Sequence, residues 1–173
     1  VLGAAVRADL TVSFHRPKAG HYLGSGPALC GTLAVADIGL TEGHEHAARL
    51  VEAPLSDLDK VQDGHKYGHG HALVLAGGPG KGGAGRLAAR AALRVGAGLV
   101  TLVVPPVTLA ENAARLDAIM LSAVPDSYTL RGMLRDERIT SVALGMGLGG
   151  QRAREMVPAA LSVRRPVVLD ADA

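Results

Sequence analysis

Apolar residues fall into two alternating kinds of segment over most of this chain. Short runs of four to six come first: His71 to Ala76, Leu99 to Val104, Ile119 to Val124, Ser141 to Leu144 and Pro166 to Leu169. Between them lie longer stretches whose apolar positions recur every three or four residues. The short runs predict strands and the periodic stretches predict helices. Uniformly apolar strands alternating with helices indicate a parallel sheet covered on both faces. The first predicted helix follows residues 77–85, where six of nine positions are glycine, and runs from Arg86 to Val95. Ala84, Leu87, Ala88, Ala91 and Val95 make its expected inner face, Arg86, Arg90 and Arg94 a solvated stripe, and Gly96 and Gly98 its end. A second helix is expected over Thr108 to Leu116, with Thr108 as N-cap and Glu111 as its capping-box partner. Two more are expected over Asp126 to Glu137 and over Arg152 to Val163, the last interrupted at Pro158.

The first part of the chain has a different pattern. Val6 to Phe14 and Thr32 to Ile38 read as strands, separated by a loop from Pro17 to Gly31. Residues 41–64 are polar and mixed in sign and read as a linker, with a short helix over Glu45 to Val51. The expected organisation is therefore 1–40, 41–64 and 65–173. A chain that opens at Val1 and closes on a strand run ending in Asp170-Ala171-Asp172-Ala173 reads as a piece of a longer protein.

Composition narrows the function classes. Of 173 residues, 48% are hydrophobic and only 2% aromatic, so Ala, Val and Leu must build the core. With 18 basic and 16 acidic residues the net charge is +2, too balanced to indicate nucleic acid. No run approaches the about 18 apolar residues of a membrane span, and no signal-peptide pattern opens the chain, so a cytoplasmic protein is expected. Cys30 is the sole cysteine and is expected to be a small buried apolar residue. His44, His46, His65, His69 and His71 lack the spacing of a metal site, and no metal is expected on them.

Ligands of parallel sheets bind outside the carboxyl ends of the strands. Three features fall at such ends: the loop at 77–85, the loop at 145–150, and Asp170 with Asp172. Gly78-Pro79-Gly80-Lys81-Gly82-Gly83 matches the G-x-G-x-x-G of dinucleotide folds between strand and helix. The acidic residue expected about 20 positions later is absent, since Val104-Pro105-Pro106 stands there. A P-loop fails as well, because Gly82 follows Lys81 where Ser or Thr is required. The loop would thus meet a ligand through its backbone, or serve only as a turn allowing close helix–strand packing. Asp170 and Asp172 are either site residues or loop caps.

Several ordered stretches resemble one family. They are His65-Lys66-Tyr67-Gly68-His69-Gly70, then Gly77-Gly78 and Gly83-Ala84, then Ala91-Ala92-Leu93-Arg94-Val95-Gly96-Ala97-Gly98-Leu99-Val100. Gly145-Met146-Gly147-Leu148-Gly149 and Val168-Leu169-Asp170-Ala171-Asp172-Ala173 follow. Together they resemble the carbohydrate-kinase-like domain of the NAD(P)H-hydrate dehydratases, whose fold is ribokinase-like; Met146 stands where that family has proline. Ala8 to Phe14, Pro17 to His21 and Ala36 to Gly39 resemble the closing segment of the NAD(P)H-hydrate epimerase domain.

The resemblance implies a three-layer α/β ribokinase-like domain, present in part, after a short β segment from the end of an epimerase domain. It implies metabolite repair. ADP, or ATP in some members, phosphorylates the hydroxyl of hydrated NADH or NADPH (NADHX and NADPHX), and elimination restores the reduced dinucleotide. Mg2+ with the nucleotide and K+ for the epimerase half are the implied ions, and a homo-oligomer is expected. By the same carry-over Gly77, Gly78, Gly83, Ala84, Gly145, Gly147 and Gly149 bind substrate. Asp170 and Asp172 are the catalytic candidates, near the junction of substrate and phosphate. The family's catalytic base and most ADP contacts are expected beyond Ala173, so residues 1–173 alone are expected to be inactive. Two other functions fit this sequence: a small-molecule kinase of the same fold, and a nucleotide-binding module without catalysis.

Overall fold

The computed structural model describes residues 3–41, 50–51 and 64–173. They belong to two compact units, residues 1–53 and 54–173.

In the first unit, β1 (Leu10–Phe14) and β2 (Thr32–Ala36) pair in parallel, from Leu10 opposite Thr32 to Phe14 opposite Ala36. Both are shorter than the apolar runs that predict them. The expected loop between them instead holds two one-turn helices, α1 (Ala19–Tyr22) and α2 (Gly26–Cys30). A parallel pair needs a crossover rather than a hairpin turn, and these two turns of helix supply it. Lys18 fastens the crossover, its Nζ donating to Ser13 Oγ and to the carbonyls of Phe14 and Arg16. Cys30 is half-buried. The helix expected over Glu45 to Val51 lies, but for Leu50 and Val51, outside the described residues.

The second unit is a five-stranded parallel sheet. Its strands are β3 (His71–Leu75), β4 (Leu99–Val104), β5 (Met120–Ala123), β6 (Ser141–Leu144) and β7 (Val167–Leu169), in the order β5-β4-β3-β6-β7. Alternate residues of β3 serve opposite faces, as the two-residue period of a strand dictates. Leu73 and Leu75 join a cluster with Leu130, Leu134, Ala153, Met156, Ala159 and Ala160. Val74 and Ala76 join another with Ala89, Val100, Leu102 and Val104. The first cluster is roofed by α5 (Ser127–Met133) and α6 (Gly150–Ala160), the second by α3 (Gly83–Arg94). Helices thus cover both faces, and the architecture is the expected α/β three-layer one.

The helices differ from expectation in instructive ways. The buried side of α3 is Gly85 and Ala89, with Ala88, Ala92 and Leu93 half-buried, whereas Leu87 is 67% and Val95 55% exposed. Packing rotates the helix away from the face that larger side chains suggest. A Cβ on Gly85 would lie 2.6 Å from the Ala76 Cβ, so only this glycine lets α3 approach the end of β3 so closely. The expected capping box after β4 does not form. Thr108 ends a short 3-10 turn (Pro106–Thr108), and its Oγ1 donates to the Pro105 carbonyl at 3.0 Å. Glu111 is on α4 (Leu109–Ala113) but points elsewhere. Asp126 does cap α5, accepting from Thr129 N at 2.8 Å. Pro158 does not break α6, which continues to Ala160; Pro158 and the residue one turn earlier, Arg154, are on the exposed side.

Between α5 and β6, Arg138 grips Asp136. Its Nε and Nη2 donate to the carboxylate at 2.9 and 2.7 Å. These bonds and the Arg138 backbone N–H hold the Asp136 carboxyl at about 2. A carboxyl depressed on folding contributes stability above its unfolded value of about 3.9, and that contribution disappears as pH falls through the folded value. We expect Asp136→Asn to flatten the acid limb of the stability curve between about pH 4 and about pH 2. Urea midpoints measured down that range check it; parallel curves for variant and parent would refute it.

Candidate functional site

The strand order reverses direction at β3. From β3 the chain steps outward through β4 to β5, then returns to the other side of β3 for β6 and β7. A crevice opens where such a reversal occurs, at the carboxyl ends of the two flanking strands. Here those are β3 and β6, which lead directly into the loops at 76–82 and 145–149. The topology therefore brings together the two glycine loops singled out in the sequence.

Their contact is atomic. A Cβ on Gly77 would fall 1.8 Å from the Gly147 carbonyl oxygen, so the two loops touch backbone to backbone. Gly147 in turn lies against Lys81: its φ is +66°, and a Cβ there would sit 2.7 Å from the Lys81 carbonyl oxygen. The third feature closes on the second. Asp170 N donates to Leu144 O at 2.9 Å, and a Cβ on Gly145 would meet the Asp170 backbone at 2.6 Å. Asp172 Oδ2 accepts from Gly149 N at 3.0 Å, at the start of α6. The helix start that could receive an external anion thus already holds this carboxylate. The Asp170 carboxylate is exposed and makes no hydrogen bond among the described residues.

Other glycines are open. Cβ atoms at Gly78, Gly83 and Gly149 would meet nothing within 4 Å, and Ala84 is exposed at the first turn of α3. An open cleft of about 410 Å³ lies here, lined by Gly78, Gly149, Gly150, Gln151, Arg152 and Glu155. Space beside bare backbone is what a ligand recognised through N–H and C=O groups requires.

Residues outside the sequence-derived set shape this edge. Arg86, expected in a solvated stripe, has a side chain only 14% exposed. Its Nη1 donates to Asn112 Oδ1 at 2.9 Å and Glu111 Oε1 at 3.3 Å. Asn112 is fully buried and donates through Nδ2 to the Thr108 carbonyl. Glu111 also accepts from Gly80 N at 3.4 Å, and Gly82 packs against the Arg86–Asn112 pair. The three side chains form a clamp on the first glycine loop. Adjacent Glu111 and Asn112 in an otherwise Ala-rich turn are the signal that could have revealed it. Arg152 works likewise on the other side, with Nη2 donating to Val124 O at 2.8 Å and Nη1 to Pro125 O at 3.3 Å. Burial lowers the Arg152 pKa, opposed by the charge of Glu155. Glu155 Oε1 accepts from Ser127 N, so α6 pins the segment after β5 twice.

His65, His69 and His71 lie at or just before the start of β3, away from this edge, and His44 and His46 lie outside the described residues. His71 opens β3 at the opposite end, with Nε2 2.8 Å from Thr101 Oγ1. Its pKa is lowered, mainly by burial, with Asp136 opposing and Arg138 reinforcing the shift. Among the described residues no three His, Cys, Asp or Glu side chains converge as metal ligands would, and no helix is long and apolar enough to cross a membrane.

Comparison with known proteins adds to this geometry. A family model described as NAD(P)H-hydrate dehydratase matches residues 72–173. Over 181 residues the chain is 40% identical to the bifunctional NAD(P)H-hydrate repair enzyme Nnr of Coxiella burnetii, an alignment covering 99% of this chain and 36% of that protein. The enzyme of the same name from Moorella thermoacetica is 38% identical over 193 residues, with 99% and 36% covered. The chain thus spans 36% of the length of these curated relatives. Among solved structures, a ribokinase-like superfamily protein from Enterococcus faecalis aligns with a TM-score of 0.49 at 23% identity, over 61% of this chain and 39% of that one.

Proposed function

The chain belongs to the NAD(P)H-hydrate dehydratase family, and on that premise we propose that its sheet edge takes hydrated NADH and NADPH for nucleotide-dependent dehydration back to the reduced dinucleotides. The observation that carries this reading is the convergence of residues 77–83, 145–149 and 170–172 at the β3–β6 reversal. Gly78, Gly83 and Ala84 offer open backbone to the dinucleotide, Gly149 leaves room beside it, and Gly77, Gly145 and Gly147 hold the loops close enough to form one wall. ADP or ATP supplies the phosphoryl group that turns the ring hydroxyl into a leaving group.

The donor set at this edge fits one ion carried by the nucleotide rather than a cage built by the protein. The free Asp170 carboxylate would be its protein contact, the mode usual for Mg2+. Asp172 acts differently, setting the position of the second loop through Gly149 N. Residues 1–40 would close an epimerase domain, residues 41–64 would link it, and residues 65–173 would carry part of the dehydratase domain. The name "bifunctional", borne by relatives aligned over 99% of this chain, supports that division. A cytoplasmic homo-oligomer completes the reading.

The test is recovery of reduced-nicotinamide absorbance from the hydrate by the intact protein, with ADP or ATP. Asp172→Ala removes one hydrogen bond that orders the substrate loop, so KM should rise by about tenfold, the equivalent of about 1.4 kcal/mol, with kcat less affected. Absence of recovery with either nucleotide would reject the dehydratase reading. Accumulation of a stable phosphorylated product would point to a kinase instead.

A further inference from the structure

Two arginines of the α3 stripe remain after Arg86 joins the clamp. Arg90 and Arg94 are four residues apart and so share a helix face. The segment leading into β5 brings Arg115 beside them, and Arg90 Nη2 donates to the Arg115 carbonyl at 2.7 Å. All three line a cavity of about 390 Å³, whose floor is Leu93, Leu116 and Ile119. Those apolar residues belong to the core cluster beneath α3, so the floor is fixed. The cavity sits where α3 ends and just before β5 begins, at the amino edge of the sheet. The glycine loops lie at the carboxyl edge.

The charge at this place is unbalanced. Among the described residues none of the three guanidiniums makes an ion pair; Asp117 lies in the lining without pairing with any of them. The negative end of the helix dipole accounts for Arg94, in the last turn of α3, but not for Arg90 or Arg115. All three arginines are exposed at the rim, where a bound anion would offset their like charge.

We propose that this cavity binds a small phosphate monoester with an apolar or aromatic body. Guanidiniums arriving from two elements suit the several acceptor oxygens of a phosphate dianion, through paired N–H donors. The Leu93–Leu116–Ile119 floor takes the body. The volume lies at the lower end of the range for small-ligand pockets, roughly 300–1,000 Å³. A concave site on a chain with a net charge of only +2 does not suit an extended polyanion. The site is independent of the dinucleotide reading, since it shares no residue with the glycine loops.

Titration of the intact protein with 1-naphthyl phosphate, followed by its fluorescence, tests the proposal. Inorganic phosphate and 1-naphthol are the probes for head and body alone. The expected result is saturable binding of the ester, about tenfold tighter than of inorganic phosphate, unaffected by saturating ADP. Arg94→Gln combined with Arg115→Gln should weaken it by about tenfold or more. Ala118→Trp, which fills the cavity and leaves every charge in place, should abolish it even if the double variant fails to fold. Displacement of the ester by ADP, equal affinity in the Ala118→Trp protein, or no binding to the parent protein would each overturn the proposal.

Discussion

Gly77→Ala is expected to cost roughly 3 kcal/mol of stability, the upper part of the usual range for an overpacked interior site. The added methyl would lie 1.8 Å from the Gly147 carbonyl oxygen, a backbone atom that cannot rotate aside. One loop must retreat, and each is anchored: the first by the Arg86 clamp, the second by Gly145 against Asp170. Loss of the wall should remove activity along with stability. Gly78→Ala is the companion measurement. Its methyl would enter open space, so stability should stay within about 0.5 kcal/mol of the parent. The same methyl projects into the cleft and should raise KM. Denaturant midpoints for the two variants decide the matter; equal midpoints would mean that the two loops do not touch.

Arg86→Met has the next largest expected effect, about 2 kcal/mol. Methionine keeps much of the apolar stem but removes both hydrogen bonds donated by Nη1, leaving the fully buried Asn112 Oδ1 without a partner. Glu111 loses its cation at the same time and is left as an isolated carboxylate against Gly80 N. The first glycine loop should then loosen locally. Faster hydrogen exchange at the Gly80 to Gly83 amides and a KM increase larger than the kcat change are the expected readouts. Arg86→Lys should recover only part of the loss, because a single ammonium does not reproduce the guanidinium geometry. Unchanged exchange in Arg86→Met would show that the clamp does not control the loop.

Much of this architecture was legible in the amino-acid sequence because the strands are apolar on both faces. That pattern has one economical explanation, a parallel sheet between helix layers, and the five runs of the second unit became its five strands. The carboxyl-edge loops were legible for the same reason: once strand direction is known, the loops that follow strands share an edge. Rotation of α3 was not legible. Its apolar periodicity favoured Leu87 and Val95, while the decisive contact is the absence of a side chain at Gly85. The Arg86–Glu111–Asn112 clamp was hard to see because Arg86 is 25 and 26 positions from its two partners, and Arg86 and Glu111 each have an ordinary local explanation. Glu111 in particular fitted a capping box, and only the tertiary structure shows its carboxylate turned toward Gly80. The two helical turns of α1 and α2 were missed because four or five residues are too few to show a period.

The strand order also has a consequence for how the chain assembles. β3 pairs with β4 through residues 71 and 99, but with β6 through residues 72 and 141. Loop-closure entropy favours the nearer pairing, so β3, β4 and α3 can consolidate while β6 is still unattached. In such an intermediate the Gly77 loop has no Gly147 opposite it, and the cleft does not exist. Competence to bind therefore requires that β6 has docked. A ligand of this edge would act as a selective trap for the fully assembled sheet, slowing its unfolding without hastening the earlier steps.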